Sequence, residues 1–586
     1  MSRYKELYTF LAPFKKGLLL ALICTAVLTA IGMAPPMLMA RLVNDIAREG
    51  NWGIFPLIMG LMVVVPILRA LVNVVNAIAL NSVSQGIVVK TRKRLYRHLM
   101  RLSMDYFDRT PVGHINQRLM GDVGQVAGIA GGGLIALVAD VVAVVMAVIF
   151  MLKLSPSLSL LTFALLPLYY LNYRFFSGRI QASTAILRTR MDHVSSALQE
   201  RLSAHELMQA YGQERNTATQ FSSQAKQIMD AAIHGSAYSI SFNQLSAFIN
   251  KVGSSAIYAL GCYYFIDGRL GYGDVIAFCA YATQLLGPVV RVSQLANQLV
   301  QVGVSVDRLN QVLHEAPAIR DTENPLPIAT LEGSVHIAGL SFRYDADGEL
   351  VLRELNLDIP AGTHLAIVGP PGAGRSSLAM VIRRFYDPDA GEIRVDDLNI
   401  RGYKLRDYRQ ALSMVQSESA IFDGTIRENL LYGKPDASEE RMLEVAKAVG
   451  LHDLVQELAA GYDTRLGSGA LRLSAGNQQR VGIARALLSE PMILILDDAT
   501  ASLDSVSAED VLQAVRADMA GRTCILMVPR LLMARDADRI AVLVDGAITE
   551  EGQHDDLIGS EESMYRQLYA AQYGEERLPP VVGGPS

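Results

Sequence analysis

The sequence predicts a multidomain chain in which an all-α bundle of six transmembrane helices, with long cytoplasmic helical extensions, precedes an α/β P-loop domain. Hydrophobic residues make up 51% of the 586 residues and charged residues only 19%, which excludes a disordered or fibrous chain. The net charge of −5 hides two different halves, because residues 1–320 carry 28 Lys+Arg against 16 Asp+Glu and the remainder carries 25 against 42. A glycine-rich loop lies in the acidic half.

Six apolar segments are long enough to cross a bilayer, which takes about 20 residues. They are residues 17–42, 54–80, 132–153, 157–176, 245–265 and 273–302. No small-residue cleavage site follows the first segment, so we interpret it as a retained helix and not as a signal peptide. The connections after the second and fourth segments are too polar for lipid, and we expect them to extend the helices into the cytoplasm.

Positive charge in these two connections predicts the orientation of the bundle. Cations run from Lys90 to Arg118 after the second segment and from Arg179 to Lys226 after the fourth, whereas the other connections carry few. Cytoplasmic loops are enriched in Lys and Arg, so we expect both termini and the second domain on the cytoplasmic side of the membrane. The membrane we expect is the bacterial inner (plasma) membrane. The same cations account for the basic half without nucleic-acid binding.

Polar residues recur on single faces of the apolar segments. Arg69, Asn73 and Asn76 share a face of the second segment, and Asp140 stands alone in the third. In the sixth segment Gln284, Arg291, Gln294, Gln298 and Gln301 fall within an arc of roughly 100°. Polar groups in lipid are costly, so these faces are candidates for a translocation cavity. Hydrogen bonding between helices, or a cytoplasmic surface on the sixth helix, is the alternative.

The remainder of the chain has a different pattern. We expect a transmembrane domain over 1–314, a linker over 315–330, a nucleotide-binding domain over 331–574 and a disordered tail over 575–586. A strand-like run before Gly369 and a helix after Gly374 frame a phosphate-binding loop, whose glycines expose backbone N–H groups to phosphate. Arg375 occupies the usual lysine position, and Ser376 is placed to bind Mg²⁺. A buried strand ends at Asp497, a second Mg²⁺ candidate.

Between these motifs lies Leu473-Ser-Ala-Gly-Asn477, followed by Gln-Gln-Arg480. With this ordered set, the chain resembles an exporter-type (type IV) half-transporter of the ATP-binding cassette (ABC) superfamily over about residues 5–574. The resemblance implies that ATP and Mg²⁺ are cofactors and that a second half-transporter is the partner. It also implies that Tyr344 stacks on adenine, that Gln416 links Mg²⁺ to the membrane domain, and that Ser474 and Gly476 reach the ATP of the other chain.

The resemblance implies further positions. Met104–Gly113 and His205–Tyr211 resemble the coupling helices that seat on nucleotide-binding domains, and Ala501–Asp504 resembles the loop that joins the two nucleotide sites. The implied ATP-binding residues are Tyr344, Gly369, Gly372, Gly374, Arg375, Ser376, Ser377, Asp497, Ser474 and Gly476, and the implied Mg²⁺ ligands are Ser376, Gln416 and Asp497.

Three residues of the ATP site and one loop depart most from the family pattern, while Ala475 and Asn477 change the signature only mildly. Asp498 replaces the glutamate that orients the attacking water, and a carboxylate shorter by one methylene retracts by roughly 1.5 Å. Pro529 replaces the γ-phosphate histidine, Arg375 replaces the lysine, and the loop Gly467–Ala470 lacks the usual Glu-Arg pair. His554 matches a structural position of the family. Loss of one preorganised contact costs on the order of 10²–10³ in rate, so we expect ATP to be bound and hydrolysed slowly.

These departures favour one hypothesis over two others. The chain is interpreted as the degenerate subunit of a heterodimeric exporter-type transporter, with Asp498 and Gln416 as catalytic candidates and a partner that supplies the intact residues. A homodimer with two slow sites and an ATP-regulated protein that transports nothing are the alternatives. Arg69 and Arg291 suit a small anionic or amphipathic solute, or serve only helix packing. Import of a siderophore-like solute stays open, because some proteins of this fold take up siderophores.

Overall fold

A computed structural model describes residues 12–48, 50–328, 331–467 and 470–578. The chain divides into two compact units. The first holds the residues up to His98 and Gly113–His314, and the second holds Leu99–Val112 and the residues from Glu315 onward. The short segment Leu99–Val112 therefore belongs to the second unit, although it lies in the N-terminal half of the sequence.

The first unit is helical. Its helices are α1 (Lys15–Gly32), α2 (Ala34–Arg41), α3 (Phe55–Leu99), α5 (Val112–Gln117), α6 (Val123–Gly128), α7 (Leu134–Leu154), α8 (Pro156–Ser203), α9 (His205–Ala210), α10 (Glu214–Ile266) and α11 (Tyr272–His314), with α4 (Met104–Arg109) in the second unit. A π-helical segment, Leu42–Arg48, follows α2. Two more such segments, here called π-type turns, connect α5 to α6 (Arg118–Asp122) and α6 to α7 (Ile129–Gly133).

All six predicted spans lie in these helices. The first is divided at Met33, because Pro35 and Pro36 follow directly and lack the N–H groups that would continue α1. Pro66, Pro167 and Pro288 lie inside α3, α8 and α11. The helices α3, α8 and α10 continue well beyond the predicted spans, as expected for cytoplasmic extensions. The helical bundle of the predicted fold class is therefore confirmed.

Length and composition single out three helical stretches as able to cross a membrane: Ala12–Ile46, Trp52–Leu99 and Val112–Leu154, in the described part of the chain. The fourth and fifth predicted spans are less apolar. Residues 157–176 in α8, for example, include Tyr169, Tyr170 and Asn172. The Asn172 side chain is buried and donates to the Ser246 hydroxyl of α10 (2.8 Å), so a contact between helices satisfies its N–H group.

The second unit contains two larger sheets. One is antiparallel in the order β2-β1-β4-β5, from β1 (Val335–Phe342), β2 (Leu352–Ile359), β4 (Ala390–Val395) and β5 (Leu398–Asn399). The other has the order β12-β11-β3-β10-β9-β6, from β3 (His364–Val368), β6 (Leu412–Val415), β9 (Ile493–Asp497), β10 (Thr523–Met527), β11 (Arg539–Val544) and β12 (Ala547–Gly552). A short pair, β7 (Gly424–Thr425) and β8 (Arg465–Leu466), completes the strands.

Besides α4, the described part of the second unit contains nine α-helices. They are α12 (Arg375–Ile382), α13 (Leu405–Ala411), α14 (Ile426–Leu430), α15 (Glu439–Ala448), α16 (His452–Gln456), α17 (Ala475–Leu488), α18 (Ser505–Asp518), α19 (His554–Gly559) and α20 (Met564–Tyr573). The predicted α/β domain is confirmed.

Strand direction brings the loops of the predicted site to one edge. Five of the six strands run parallel, with β12 antiparallel. Val415 lies opposite Leu496, and Met527 lies opposite Asp497. The loops that leave β3, β6, β9 and β10 therefore emerge together at the carboxyl edge, where parallel sheets bind ligands.

The predicted linker and tail are partly described. Leu326 exchanges backbone hydrogen bonds with Gly402 and Lys404, and the Asp321 carboxylate accepts from the backbone N–H of Leu405 (2.7 Å). Glu575–Arg577 form a single 3-10 turn, and residues 579–586 lie outside the described residues. The domain bounds of the sequence analysis stay predictions.

Candidate functional site

The loop from Gly369 to Gly374 joins β3 to α12 and has the backbone that a phosphate cradle requires. A Cβ atom on Gly369 would lie 2.0 Å from the carbonyl oxygen of Leu543, so no side chain fits there. Gly374 caps α12 with φ +104°, a left-handed conformation that favours glycine. The loop ends at the N-terminus of α12, whose free N–H groups favour an anion. These features fit the triphosphate of ATP.

Ser376 and Asp497 form the oxygen pair expected for Mg²⁺. The Ser376 hydroxyl donates to the Asp497 carboxylate over 3.0 Å, and Asp497 is only 6% exposed. Burial raises the pKa of Asp497, and the hydrogen bond from Ser376 offsets part of this rise. Hydroxyl and carboxylate oxygens are ligands that Mg²⁺ prefers, so these two side chains fit that ion.

Tyr344 lies at the entrance to the same loop. Its hydroxyl shares a hydrogen bond with the Ser377 hydroxyl (2.9 Å), and its ring is 44% exposed. Phe342 and Tyr386 pack edge-on against this ring, with centroids 4.9 and 5.3 Å away. The exposed part of Tyr344 is available to pack against a flat ring such as adenine.

Arg375 turns back over the phosphate-binding loop. Its Nη1 donates to the carbonyl of Gly369 (3.0 Å) and to the carbonyl of Val528 (3.2 Å), the residue before Pro529. Its Nη2 lies 3.9 Å from the Asp498 carboxylate. The altered residues Arg375 and Asp498 thus lie close together, and Arg375 also contacts the residue that precedes the third altered position, Pro529.

Asp498 occupies an unusual backbone conformation. Its φ is +50°, and its N–H donates to the carbonyl of Met527 on the neighbouring strand (2.9 Å). Its Oδ1 is buried without a hydrogen-bond partner among the described residues. Burial raises the pKa of Asp498, and the Arg375 charge works against that rise. The backbone therefore fixes the position of the Asp498 carboxylate, while its Oδ1 accepts no hydrogen bond from the described residues.

Gln416 and Pro529 complete the edge. Gln416 directly follows β6 and is exposed. Pro529 has no side-chain donor, and its carbonyl accepts from the Gln572 amide (2.8 Å). His554 lies elsewhere, at the start of α19, with its ring bonded to the Tyr565 hydroxyl (2.8 Å) and its pKa lowered by burial. These contacts suit the structural position assigned to His554.

The signature residues cap a helix. Ser474 precedes α17 and its hydroxyl accepts from the N–H of Asn477 (3.3 Å). A Cβ atom on Gly476 would lie 3.1 Å from the Ser502 carbonyl, and the Asp504 carboxylate caps α18 through the N–H of Ser507. In the loop Gly467–Ala470, Ser468 and Gly469 lie outside the described residues.

One predicted coupling segment contacts the aromatic group of the nucleotide site. The hydroxyl of Tyr386 donates to the carboxylate of Asp108 in α4, within the second unit. The contacts continue through the ring of Tyr344 to Ser377 at the start of α12. The second predicted segment forms α9, in the first unit.

A polar pocket of about 460 Å³ lies within the helical bundle. Its walls include Arg69 of α3, Asp140 of α7 and Gln284 of α11, three of the predicted cavity residues. Asn76 is instead bonded to Thr25 (3.3 Å), and Asn73 and Gln298 are exposed outside the pocket wall. The side chains of Arg291 and Gln294 lie outside the described residues.

Comparison with known proteins supports both the helical first unit and the α/β second unit. The profile of the ABC transporter transmembrane region matches residues 18–289, and that of the ABC transporter domain matches residues 352–501. YgaD of Bacillus subtilis, named for multidrug export, is 30% identical over 98% of this chain and 99% of its own. The chain belongs to the ABC transporters.

Other relatives place it among the exporters. The ATP-dependent lipid A-core flippase of Syntrophus aciditrophicus is 30% identical over 100% of this chain and 96% of its own. A solved bacterial Atm1-family ABC exporter with ATP bound matches with a TM-score of 0.81 and 26% identity, over 96% of this chain and 99% of that one. The resemblance to a type IV half-transporter is confirmed.

Several properties follow for this ABC exporter. It is an integral membrane protein, and its ABC domain binds ATP. ABC transporters hydrolyse ATP, and exporters of this family work as dimers within the membrane. The roles of individual residues stay predictions.

Two residues that contact the nucleotide site of this ABC exporter were missed by sequence reasoning. Tyr386 joins Asp108 to Tyr344, and Gln479 of α17 is buried between two loops of the site. Tyr386 has no local sequence signal, because its partners are far away in the chain. Gln479 did carry one, since it shares a helix face with Ala475 and Ile483, and a glutamine on an apolar face needs hydrogen-bond partners.

Proposed function

We propose that this chain is the ATP-retaining subunit of a heterodimeric ABC exporter. Its own site holds ATP and hydrolyses it slowly, and a different half-transporter supplies the lysine, glutamate and histidine that this chain replaces. The observation that carries the proposal is the Arg375 guanidinium, which lies between the Gly369 and Val528 carbonyls and 3.9 Å from Asp498.

Arg375 weakens hydrolysis in a specific way. A guanidinium is a planar fork, and two of its groups are already engaged by backbone and carboxylate. The carboxylate that would orient water is short and faces this cation, and Pro529 offers no donor to the γ-phosphate. Positioning errors of about 1 Å cost up to 10²-fold in rate, so these changes together oppose rapid turnover.

The binding features are retained. The glycine loop, Tyr344 and the Ser376–Asp497 pair support a site for ATP with Mg²⁺, which Gln416 would also approach from the end of β6. Mg²⁺ would neutralise phosphate charge there when bound. Ser474 and Gly476 would complete the partner's ATP site, so this chain would still serve a competent site.

The polar pocket supports an amphipathic anion as the solute. Arg69 lies on the pocket wall together with Asp140, and its guanidinium can form charge-assisted hydrogen bonds with an anionic group of a solute. Leu28, Met33 and Ala143 line the same pocket and suit an apolar body. Relatives named for lipid flipping and for multidrug export act on solutes compatible with this chemistry. The cationic connections favour a cytoplasmic nucleotide-binding domain.

The test is the ATPase activity of the purified pair in lipid nanodiscs. Asp498→Glu in this chain should change kcat less than about 2-fold, because Arg375 and Pro529 stay in place. Replacement of the partner's catalytic glutamate by glutamine should lower kcat at least about 100-fold.

The opposite ranking of the two variants would overturn the proposal. Rapid ATPase by this chain purified alone as a dimer would instead support a homodimer. Asp463→Glu, at an exposed carboxylate that pairs with Arg427, is the control for the added methylene.

A further inference from the structure

One face of α17 touches two loops of the nucleotide site. Gly476, Gln479 and Gly482 recur every three residues, so they lie along one side of the helix. Gln479 is 1% exposed, although glutamine is normally a surface residue. A buried amide of this kind persists only when its polar atoms are bonded.

Both ends of the Gln479 amide are bonded to backbone. Its Nε2 donates to the carbonyl of Ser417 (2.7 Å), the residue after Gln416. Its Oε1 accepts from the N–H of Ser502 (2.9 Å), in the segment between Asp498 and Asp504. A single side chain thus bridges the loop after β6 and the loop after β9.

The flanking glycines hold α17 against the same two loops. A Cβ atom on Gly482 would lie 2.0 Å from the Ser419 hydroxyl oxygen, and one on Gly476 would lie 3.1 Å from the Ser502 carbonyl oxygen. The helix therefore packs closely against both loops on either side of the Gln479 amide. Close packing of this kind transmits displacements instead of absorbing them.

We propose that Gln479 is a positioning residue that couples the Gln416 loop, the Asp498–Asp504 loop and the signature end of α17. A shift of Gln416 is passed through the amide to Ser502 and, along the helix, to Ser474. The inference rests on the proposed function in one respect, because its first readout is the ATPase of a dimer that contains this chain.

Gln479→Glu tests the coupling with almost no change of shape. The carboxylate still accepts from the Ser502 N–H, but its second oxygen faces the Ser417 carbonyl and repels it unless it is protonated. Burial raises the pKa of such a carboxyl group, so the lost bond returns as the pH falls. We expect kcat at pH 8 to fall about 10-fold and at pH 6 to return to within about 2-fold of the unmodified dimer, with KM for ATP little changed.

Gln478→Glu is the matched control. Gln478 lies on the same helix and donates to the Leu473 carbonyl at its start (3.0 Å), and its side chain makes no hydrogen bond to either loop in the described part of the chain. Its pH profile should run parallel to that of the unmodified dimer. The same pH dependence in both variants, or a pH-independent loss at Gln479 with a lowered melting temperature, would overturn the proposal.

Hydrogen exchange provides a second test of the role of Gln479. In Gln479→Met chains the Ser502 amide loses its acceptor, and we expect it to exchange at least about 5-fold faster, with faster exchange across the Ser417–Ala420 amides. Absence of ATPase in the unmodified dimer would contradict the proposed function but leave this measurement valid. Unchanged exchange at Ser502 would contradict the role of Gln479.

Discussion

Asp497 and Asp498 are neighbours at the end of one strand, yet their carboxylates face different partners. Asp497 accepts from Ser376 and continues β9, whereas Asp498 turns into the left-handed region and lies near Arg375. The change of backbone conformation between them separates an Mg²⁺ candidate from a position next to the phosphate-binding loop. Substitutions at the two positions should therefore have different effects.

Asp497→Asn should remove the Mg²⁺ dependence of ATP binding. The amide oxygen still accepts from Ser376, but the negative charge that an ion requires is lost. We expect affinity for a fluorescent ATP analogue to fall about 10-fold in Mg²⁺ and to change less than 2-fold in EDTA. Asp518→Asn, at a carboxylate that pairs with Arg441 and Arg522, is the control. An equal loss in Mg²⁺ and in EDTA would count against Asp497 as a ligand.

Much of this edge was predictable from sequence. Motif order placed Gly369–Gly374, Ser376, Asp497 and Gln416 at strand ends, and a parallel sheet necessarily brings such ends together. The contacts of Arg375 with two carbonyls were not predictable, because they depend on the side-chain conformation and on Val528, which lies 153 positions away.

At the scale of elements, α4 and the aromatic group Phe342, Tyr344 and Tyr386 form one connected set within the second unit. Direct contacts thus link the helix after the phosphate-binding loop, the predicted adenine-stacking residue Tyr344 and the coupling segment α4. A base that packs on Tyr344 would restrict Tyr386 and, through its hydroxyl, Asp108. We therefore expect the hydrogen bond from the Tyr386 hydroxyl to stabilise α4.

Tyr386→Phe should loosen α4 while the aromatic packing persists. Loss of a hydrogen bond to a carboxylate costs about 1.5–3 kcal/mol, so we expect the amides of Met104–Arg109 to exchange at least about 10-fold faster. Tyr403→Phe removes a hydroxyl bonded to the Val395 carbonyl (2.9 Å) and should leave those amides unchanged. Equal exchange in both variants would show that the Asp108 contact does not hold the segment.

The pocket of the helical bundle predicts a charge-selective effect at Arg69. Arg69→Gln should raise the concentration of dodecyl phosphate that gives half-maximal ATPase stimulation about 10-fold, because a charge-assisted bond is lost. Stimulation by dodecyltrimethylammonium should change little. Lys251→Gln removes an exposed cation of α10 that does not line the pocket. A similar loss in this control would point to a general charge effect.

Helix interruptions were harder to predict than helices. The apolar runs predicted the spans, but the π-type turns Arg118–Asp122 and Ile129–Gly133 have no periodic signal. Such turns depend on packing: a Cβ atom on Gly131 would lie 2.9 Å from the Cβ of Ser84 in α3. Tertiary approach, and not local propensity, decides where the third span begins.

At the scale of the whole molecule, the number of ATP molecules retained for each dimer distinguishes the proposed heterodimer from a homodimer. A heterodimer with one slow site should retain about one ATP for each dimer after turnover, because only this chain's site resists hydrolysis. Rapid gel filtration followed by nucleotide chromatography gives the ratio. Two retained ATP molecules would indicate two slow sites, and ADP alone would exclude retention.

The contacts of Arg375 also constrain how the chain can change through mutation. A glutamate at 498 would still face the guanidinium, and a lysine at 375 would still find a short aspartate and Pro529. Each single replacement therefore meets the unaltered neighbours and gains little. Such mutual dependence makes the altered state hard to reverse one step at a time, so lineages that acquire it are expected to keep it.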